Sequence, residues 1–217
     1  MRIVVCVKHV PDMQSERRFK GGRLVRGEDD VLNELDENAI EAAVQLKESE
    51  EDAGREAEVV ALTMGPEDAE DSLMRALQMG ADRAYIVSDE FLEGSDVITT
   101  ASVLSVAIAK IADECGPVDL VITGMASLDA MTSMLPAALA AKAHMPLLGL
   151  ARSLSVEDGA VTIERAVDGY TETVRAALPA VVSVTDQINE PRYPAFAAMK
   201  AARKKPLDQW GIDDLVE

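Results

Sequence analysis

Short apolar runs at residues 3–7, 58–63, 83–87, 119–123 and 180–184 are each bounded by polar or turn residues, as buried strands are. Between them the period changes. In residues 36–47, Ile40, Ala43 and Val44 recur at helical spacing and give one apolar face. Asn33 and Asp36 stand ahead of that stretch as an N-cap pair. Gly65-Pro66 predicts a turn, then a helix over 66–79 with proline in its first turn and Gly80 as its C-cap. Residues 97–111 read as a strongly apolar helix and 131–142 as a helix of small residues. Strand–helix–strand repetition predicts a mainly parallel sheet covered on both faces, a three-layer α/β/α architecture.

After His144 the pattern becomes strand-like at 150–156, 161–166 and 172–178. Asp158-Gly159 and Asp168-Gly169, dipeptides that favour tight hairpin turns, separate these runs. An antiparallel hairpin region is expected there. From Gln187 onward Pro, Arg, Lys and Asp dominate and periodicity fades. The chain therefore divides into an α/β domain over 1–186 and a C-terminal arm over 187–217.

Composition narrows the function classes. A hydrophobic content of 48% with no run near the roughly 20 apolar residues of a membrane helix predicts a globular protein without membrane insertion. The apolar N-terminal run is too short for a signal peptide and lacks a small-residue cleavage site, so a cytoplasmic protein is expected. Cys6 and Cys115 lie far apart with no CxxC or His cluster, which indicates neither a disulfide framework nor a metal site. The net charge of −18 argues against nucleic acid as a partner, because phosphate neutralisation needs a basic surface. Arg192, Lys200, Arg203, Lys204 and Lys205 run against that acidic background.

Ligands of open α/β sheets sit beyond the carboxyl ends of the strands. There the informative segment is Gly124-Met125-Ala126-Ser127-Leu128-Asp129-Ala130-Met131-Thr132-Ser133-Met134-Leu135, a polar turn leading from a strand into a helix. Free N–H groups at a helix N-terminus make a natural phosphate site. An ordinary strand–helix loop capped by Asp129 or Thr132 fits the same spacing, and both readings stay open. His9 and His144 have no Cys or Ser partner in a recognisable motif and read as structural or surface residues. The chain has neither a Walker motif nor GxGxxG.

Several stretches, taken in order, resemble the electron transfer flavoprotein beta subunit, in particular its actinobacterial form. They are Val5-Cys6-Val7-Lys8, the helix start Asn33-Glu34-Leu35-Asp36-Glu37, Gly65-Pro66-Glu67 and the run from Ala76 to Ala84. To these add Ile163 through Val174 with its continuation to Val182, Asn189-Glu190-Pro191-Arg192-Tyr193, and Arg203-Lys204-Lys205-Pro206. The resemblance covers essentially the whole chain. It implies a fold like that of adenine-nucleotide α-hydrolases and a heterodimer with a larger alpha subunit that holds most of the redox FAD. It further implies bound AMP and no catalytic residues of the chain's own. Electrons would pass from flavin dehydrogenases, such as acyl-CoA dehydrogenases, to a membrane quinone reductase.

Carried over by position, the resemblance assigns AMP contacts, mostly through backbone, to Cys6, Asn33, Glu34, Leu35, Asp36, Met64 and residues 124–135. It makes Phe196 an apolar anchor for dehydrogenases, with Lys200, Arg203, Lys204 and Lys205 steering encounter. On composition alone Phe196 fits core packing equally well. Ala130 and Ser133 stand where many family members carry Gly, Asp or Asn, which narrows the backbone conformations open to a phosphate loop. Two other functions remain: a bifurcating-type subunit with FAD in place of AMP, and an ATP-binding stress-type regulator on the same fold. The first goes with a glycine-richer loop and the second with a glycine-rich motif near the C-terminus, where this chain holds its basic arm.

Overall fold

The structure, a computed structural model, describes residues 1–216. Its strands are β1 (Arg2–Cys6), β2 (His9–Pro11), β3 (Phe19–Lys20), β4 (Arg23–Leu24), β5 (Asp30–Leu32), β6 (Glu58–Met64), β7 (Arg83–Val87) and β8 (Leu120–Gly124). They continue as β9 (Leu147–Ala151), β10 (Ser153–Glu157), β11 (Ala160–Val167), β12 (Tyr170–Ala177), β13 (Ala180–Val184) and β14 (Leu207–Trp210). The helices are α1 (Glu34–Asp52), α2 (Glu70–Met79), α3 (Val97–Cys115), α4 (Leu135–Ala143), α5 (Phe196–Ala202) and α6 (Ile212–Val216).

Seven strands form one sheet in the order β14-β7-β6-β1-β8-β13-β9, and every pairing in it is parallel. Its central strands are apolar on both faces because helices cover both. Ile3, Val5 and Val7 of the first strand region pack with α1 and α2, whereas Val4 and Cys6 pack with α3 and α4. The three-layer α/β/α fold expected from the pattern is the one observed. Helix α2 ends at Gly80, as its punctuation required, and a short 3-10 turn (Glu67–Ala69) precedes it.

A separate antiparallel sheet, β10-β11-β12, turns at Asp158-Gly159 and Asp168-Gly169. All four of these residues have positive φ, which two-residue hairpin turns of type I′ demand. The run expected at 150–156 is two strands. Leu150 adopts φ 65°, its N–H donates to Ser183 Oγ at 3.0 Å, and the register against β13 shifts there. This bulge takes the chain out of the parallel sheet and into the small one.

The C-terminal segment also differs from a featureless arm. It contains α5, α6 and β14, and β14 adds to the main sheet beside β7. Trp210 stacks on Tyr85 with ring centroids 4.2 Å apart.

Candidate functional site

Strand β1 lies between β6 and β8, and the chain moves from it in opposite directions to fill the two halves of the sheet. That reversal opens a crevice at the carboxyl end of β1. Cys6 closes β1, Met64 closes β6 and Gly124 closes β8, so three of the expected site positions meet at one rim. Helix α1 brings Asn33, Glu34, Leu35 and Asp36 to the same rim.

Two of those side chains fasten the loop over 124–135. Asn33 is fully buried at the N-cap position but makes no side-chain capping bond. Its amide instead donates to the Ala126 carbonyl and accepts from Leu128 N–H, both at 3.0 Å. The expected cap pair is thus a cross-brace, because the loop satisfies donor and acceptor together. Asp36 accepts from Lys8 N–H at 2.8 Å. Burial pushes its carboxyl up to about 7, against the pull of Asn33, Lys8 and Gly124. A Cβ on Gly124 would meet Asp36 Oδ1 and lie 2.8 Å from the Leu35 carbonyl oxygen. Only glycine lets the end of β8 approach α1 this closely. Cys6 is buried beneath the rim, where burial and then the Asp36 charge push its thiol up to about 12.

Beyond Leu128 the loop becomes a series of tight turns. Ala130 N–H and Met131 N–H donate to the Ser127 carbonyl at 3.2 and 2.7 Å. Met131 and Ser133 take left-handed conformations with φ 50° and 52°. Helix α4 therefore starts at Leu135, four residues after the expected Met131, with Pro136 in its first turn. The N–H groups of Thr132, Ser133, Met134 and Leu135 donate to no protein acceptor among the described residues. Thr123 Oγ1, buried one residue before the loop, likewise lacks a hydrogen-bond partner among them. Free N–H groups, a buried hydroxyl and a glycine-only approach suit the phosphate end of a nucleotide. The side chains of Met131 and Met134 stand exposed.

Spacing did not point to the charges around this loop. Asp129, whose side chain is 1% exposed, takes Lys8 Nζ at 2.9 and 3.0 Å and pairs also with Arg26. Burial by itself would raise this carboxyl, but the bonds from Arg26 and Lys8 hold it well below the usual carboxylate range. Arg17 donates to the Leu128 carbonyl at 3.0 Å. Lys8, Arg17 and Arg26 thus place positive charge beside the loop, and the positions of the last two in a polar excursion gave no local signal. His9 bonds Ser72 through Nδ1 at 2.8 Å, and His144 caps α4 in the left-handed region.

Far along the chain, Phe196 opens α5 and is 80% exposed, so it does not pack back onto the core. Lys200, Arg203 and Lys204 are exposed beside it. Lys205 is not part of that face. Its ammonium donates to the carbonyls of Leu77 and Ala81 at the end of α2, and burial lowers its pKa. Arg192 is also occupied, by Glu41 and Glu48 of α1.

The family profile described as "Electron transfer flavoprotein domain" matches residues 22–215. The electron transfer flavoprotein subunit beta of Mycobacterium leprae is 42% identical over 208 residues, covering 94% of this chain and 77% of that protein. The caffeyl-CoA reductase-Etf complex subunit CarD of Acetobacterium woodii is 33% identical, covering 99% of this chain and 80% of its own length. Protein FixA of Azorhizobium caulinodans is 34% identical, with coverages of 99% and 76%.

Proposed function

The chain belongs to the electron transfer flavoprotein family as a subunit of the beta type, an electron-carrier subunit, and we propose that it binds AMP as a structural nucleotide. The single observation that carries this reading is the set of unpaired N–H groups over 132–135, closed off by the glycine-only contact at Gly124. In this reading the phosphate rests on that backbone beside Lys8, Arg17 and Arg26, and Cys6, Asn33 through Asp36 and Met64 line the rest of the site. The chain's own residues bind and orient; flavin supplies the redox chemistry.

The partner would be an alpha subunit that holds the FAD. Phe196 would fill a pocket on a flavin dehydrogenase such as an acyl-CoA dehydrogenase, with Lys200, Arg203 and Lys204 steering approach. A membrane quinone reductase would take the electrons onward. No helix among the described residues is long and apolar enough to cross a membrane, and the reading places the heterodimer in the cytoplasm. Residues 1–186 would serve the nucleotide and 187–217 the partner.

Calorimetry on the nucleotide-free chain tests the phosphate assignment. AMP is expected to bind on the order of a hundredfold more tightly than adenosine, the worth of two charge-assisted bonds to backbone N–H groups. Equal affinity for the two would place the phosphate in solvent and remove the proposal's basis.

A further inference from the structure

Arg192 is the most heavily paired cation on the surface of this molecule's arm, and nothing in nucleotide binding uses it. Its guanidinium meets Glu41 through Nε at 2.8 Å and Nη2 at 3.1 Å, and Glu48 through Nη1 at 2.6 Å and Nη2 at 2.9 Å. Its backbone N–H also reaches Glu41 at 3.2 Å. The Glu41 side chain is only 4% exposed and is further held by Gln45 at 2.8 Å. Three residues earlier, Asn189 and Asn38 exchange hydrogen bonds in both directions at 3.0 and 3.1 Å. The chain is therefore stapled along one flank of α1 just before the exposed segment begins.

A second staple lies just after it. Lys205 crowns the carboxyl end of α2, where its ammonium takes the Leu77 and Ala81 carbonyls. Cations are favoured at that end of a helix by its free carbonyls and its dipole. Between the staples only Pro194 and Ala202 are buried, while Phe196 is 80% and Tyr193 90% exposed. Tyr193 lies under the guanidinium of Arg75, 5.5 Å from its ring centroid, which joins the same segment to α2. An exposed stretch with so little buried surface has weak reason of its own to hold one conformation. Two fully paired cations at its ends supply that reason.

We propose that Arg192 is a positioning residue for partner docking, fixing the arm on α1 so that Phe196 is presented in one place before a partner arrives. The proposal rests on the docking reading of Phe196 given above. Arginine suits the task because its planar fork engages two carboxylates at once, which lysine cannot do. An anchor already ordered loses less conformational freedom on binding, so the staple acts on affinity and leaves the transfer step alone. Lys205 is the second fixed point.

The experiment uses the heterodimer with its alpha subunit and an acyl-CoA dehydrogenase as electron donor. Arg192→Gln, Arg192→Lys, Glu41→Gln and Phe196→Ala are compared for KM towards the dehydrogenase, for kcat, and for amide hydrogen exchange of residues 193–204. Arg192→Gln is expected to raise KM about tenfold, the cost of ordering one or two side chains and their loop, with kcat unchanged and exchange over 193–204 accelerated. Arg192→Lys should recover part of both effects, and Glu41→Gln should reproduce them. Unchanged exchange in Arg192→Gln overturns the staple, whatever the kinetics show. Faster exchange with an unchanged KM, while Phe196→Ala raises KM, overturns the positioning role alone. If Phe196→Ala leaves KM unchanged, the docking reading fails and the positioning role fails with it, and exchange still reports on the staple.

Discussion

In the proposed reading, the loop over 124–135 and the arm around Phe196 achieve recognition by opposite means. The loop works through its main chain. Asn33 grips it at Ala126 and Leu128, Asp129 is neutralised from two sides, and the groups left over for a ligand are backbone N–H groups. The arm works through side chains. Its backbone is pinned at Arg192 and Lys205, and what it offers outward is two aromatic rings, Tyr193 and Phe196, among lysines and an arginine. The loop should therefore tolerate most side-chain exchanges and fail when backbone geometry changes. The arm should do the reverse. Backbone sites are specified by a few positions such as Gly124, and side-chain sites by the exposed residue itself.

Gly124→Ala is the strongest test of the loop's half of this contrast. The added methyl meets a buried carboxylate and a backbone carbonyl, neither of which can swing aside. A loss of about 3 kcal/mol is expected, the upper end of overpacking costs. Urea denaturation of the chain measures it, and wild-type stability would show that the β8–α1 approach is not as tight as described.

Next in size is a pH effect at Asp36. Its folded carboxyl titrates near 7, raised from an ordinary 3.8, so between those values the folded chain holds a proton that the unfolded chain has lost. The stability due to this group is complete below about pH 4 and disappears as pH rises to 7. Between pH 5.5 and 8 that amounts to about 2 kcal/mol. Asp36→Asn, which keeps an acceptor for Lys8 N–H, should make the urea stability flatter by that amount over the same range. A variant whose stability falls in parallel with wild type would mean that Asp36 is ionised in the folded chain throughout.

The smallest stability effect should come from the arm. Phe196→Ala removes a ring that is 80% exposed and should change stability by less than about 0.5 kcal/mol. A thermal unfolding scan reads this directly. A loss of several kcal/mol would mean that the ring packs on the core in solution, and the contrast between the two regions would collapse.

How much of this was legible beforehand depended on whether local chemistry announced the backbone. The Asp-Gly turns and the Gly80 cap carry residues whose types declare positive φ, and their elements fall where expected. Met131, Ser133 and Leu150 adopt the same region without a glycine to mark it, so the start of α4 and the break between β9 and β10 were invisible. Strand β14 was hidden because only its ends, Leu207 and Trp210, are apolar or buried, the middle two residues facing solvent at the sheet edge. The rim position at Gly124 followed from the general rule for open sheets, and those at Cys6, Asn33 and Met64 from the family resemblance. The use of Asn33 as a brace, the pairing of Lys8 and Arg26 with Asp129, and the diversion of Arg192 and Lys205 did not. Each joins residues distant in sequence, which spacing along a single chain cannot register.

The central claim is that this beta-type subunit carries AMP while its partner carries the flavin. The most direct measurement is to purify the chain alone and with its alpha subunit, release the bound nucleotides and quantify them. The expected result is AMP without flavin absorbance on the chain alone, and one AMP with one FAD on the heterodimer. Flavin retained stoichiometrically by the isolated chain, or two FAD and no AMP on the heterodimer, would contradict the account.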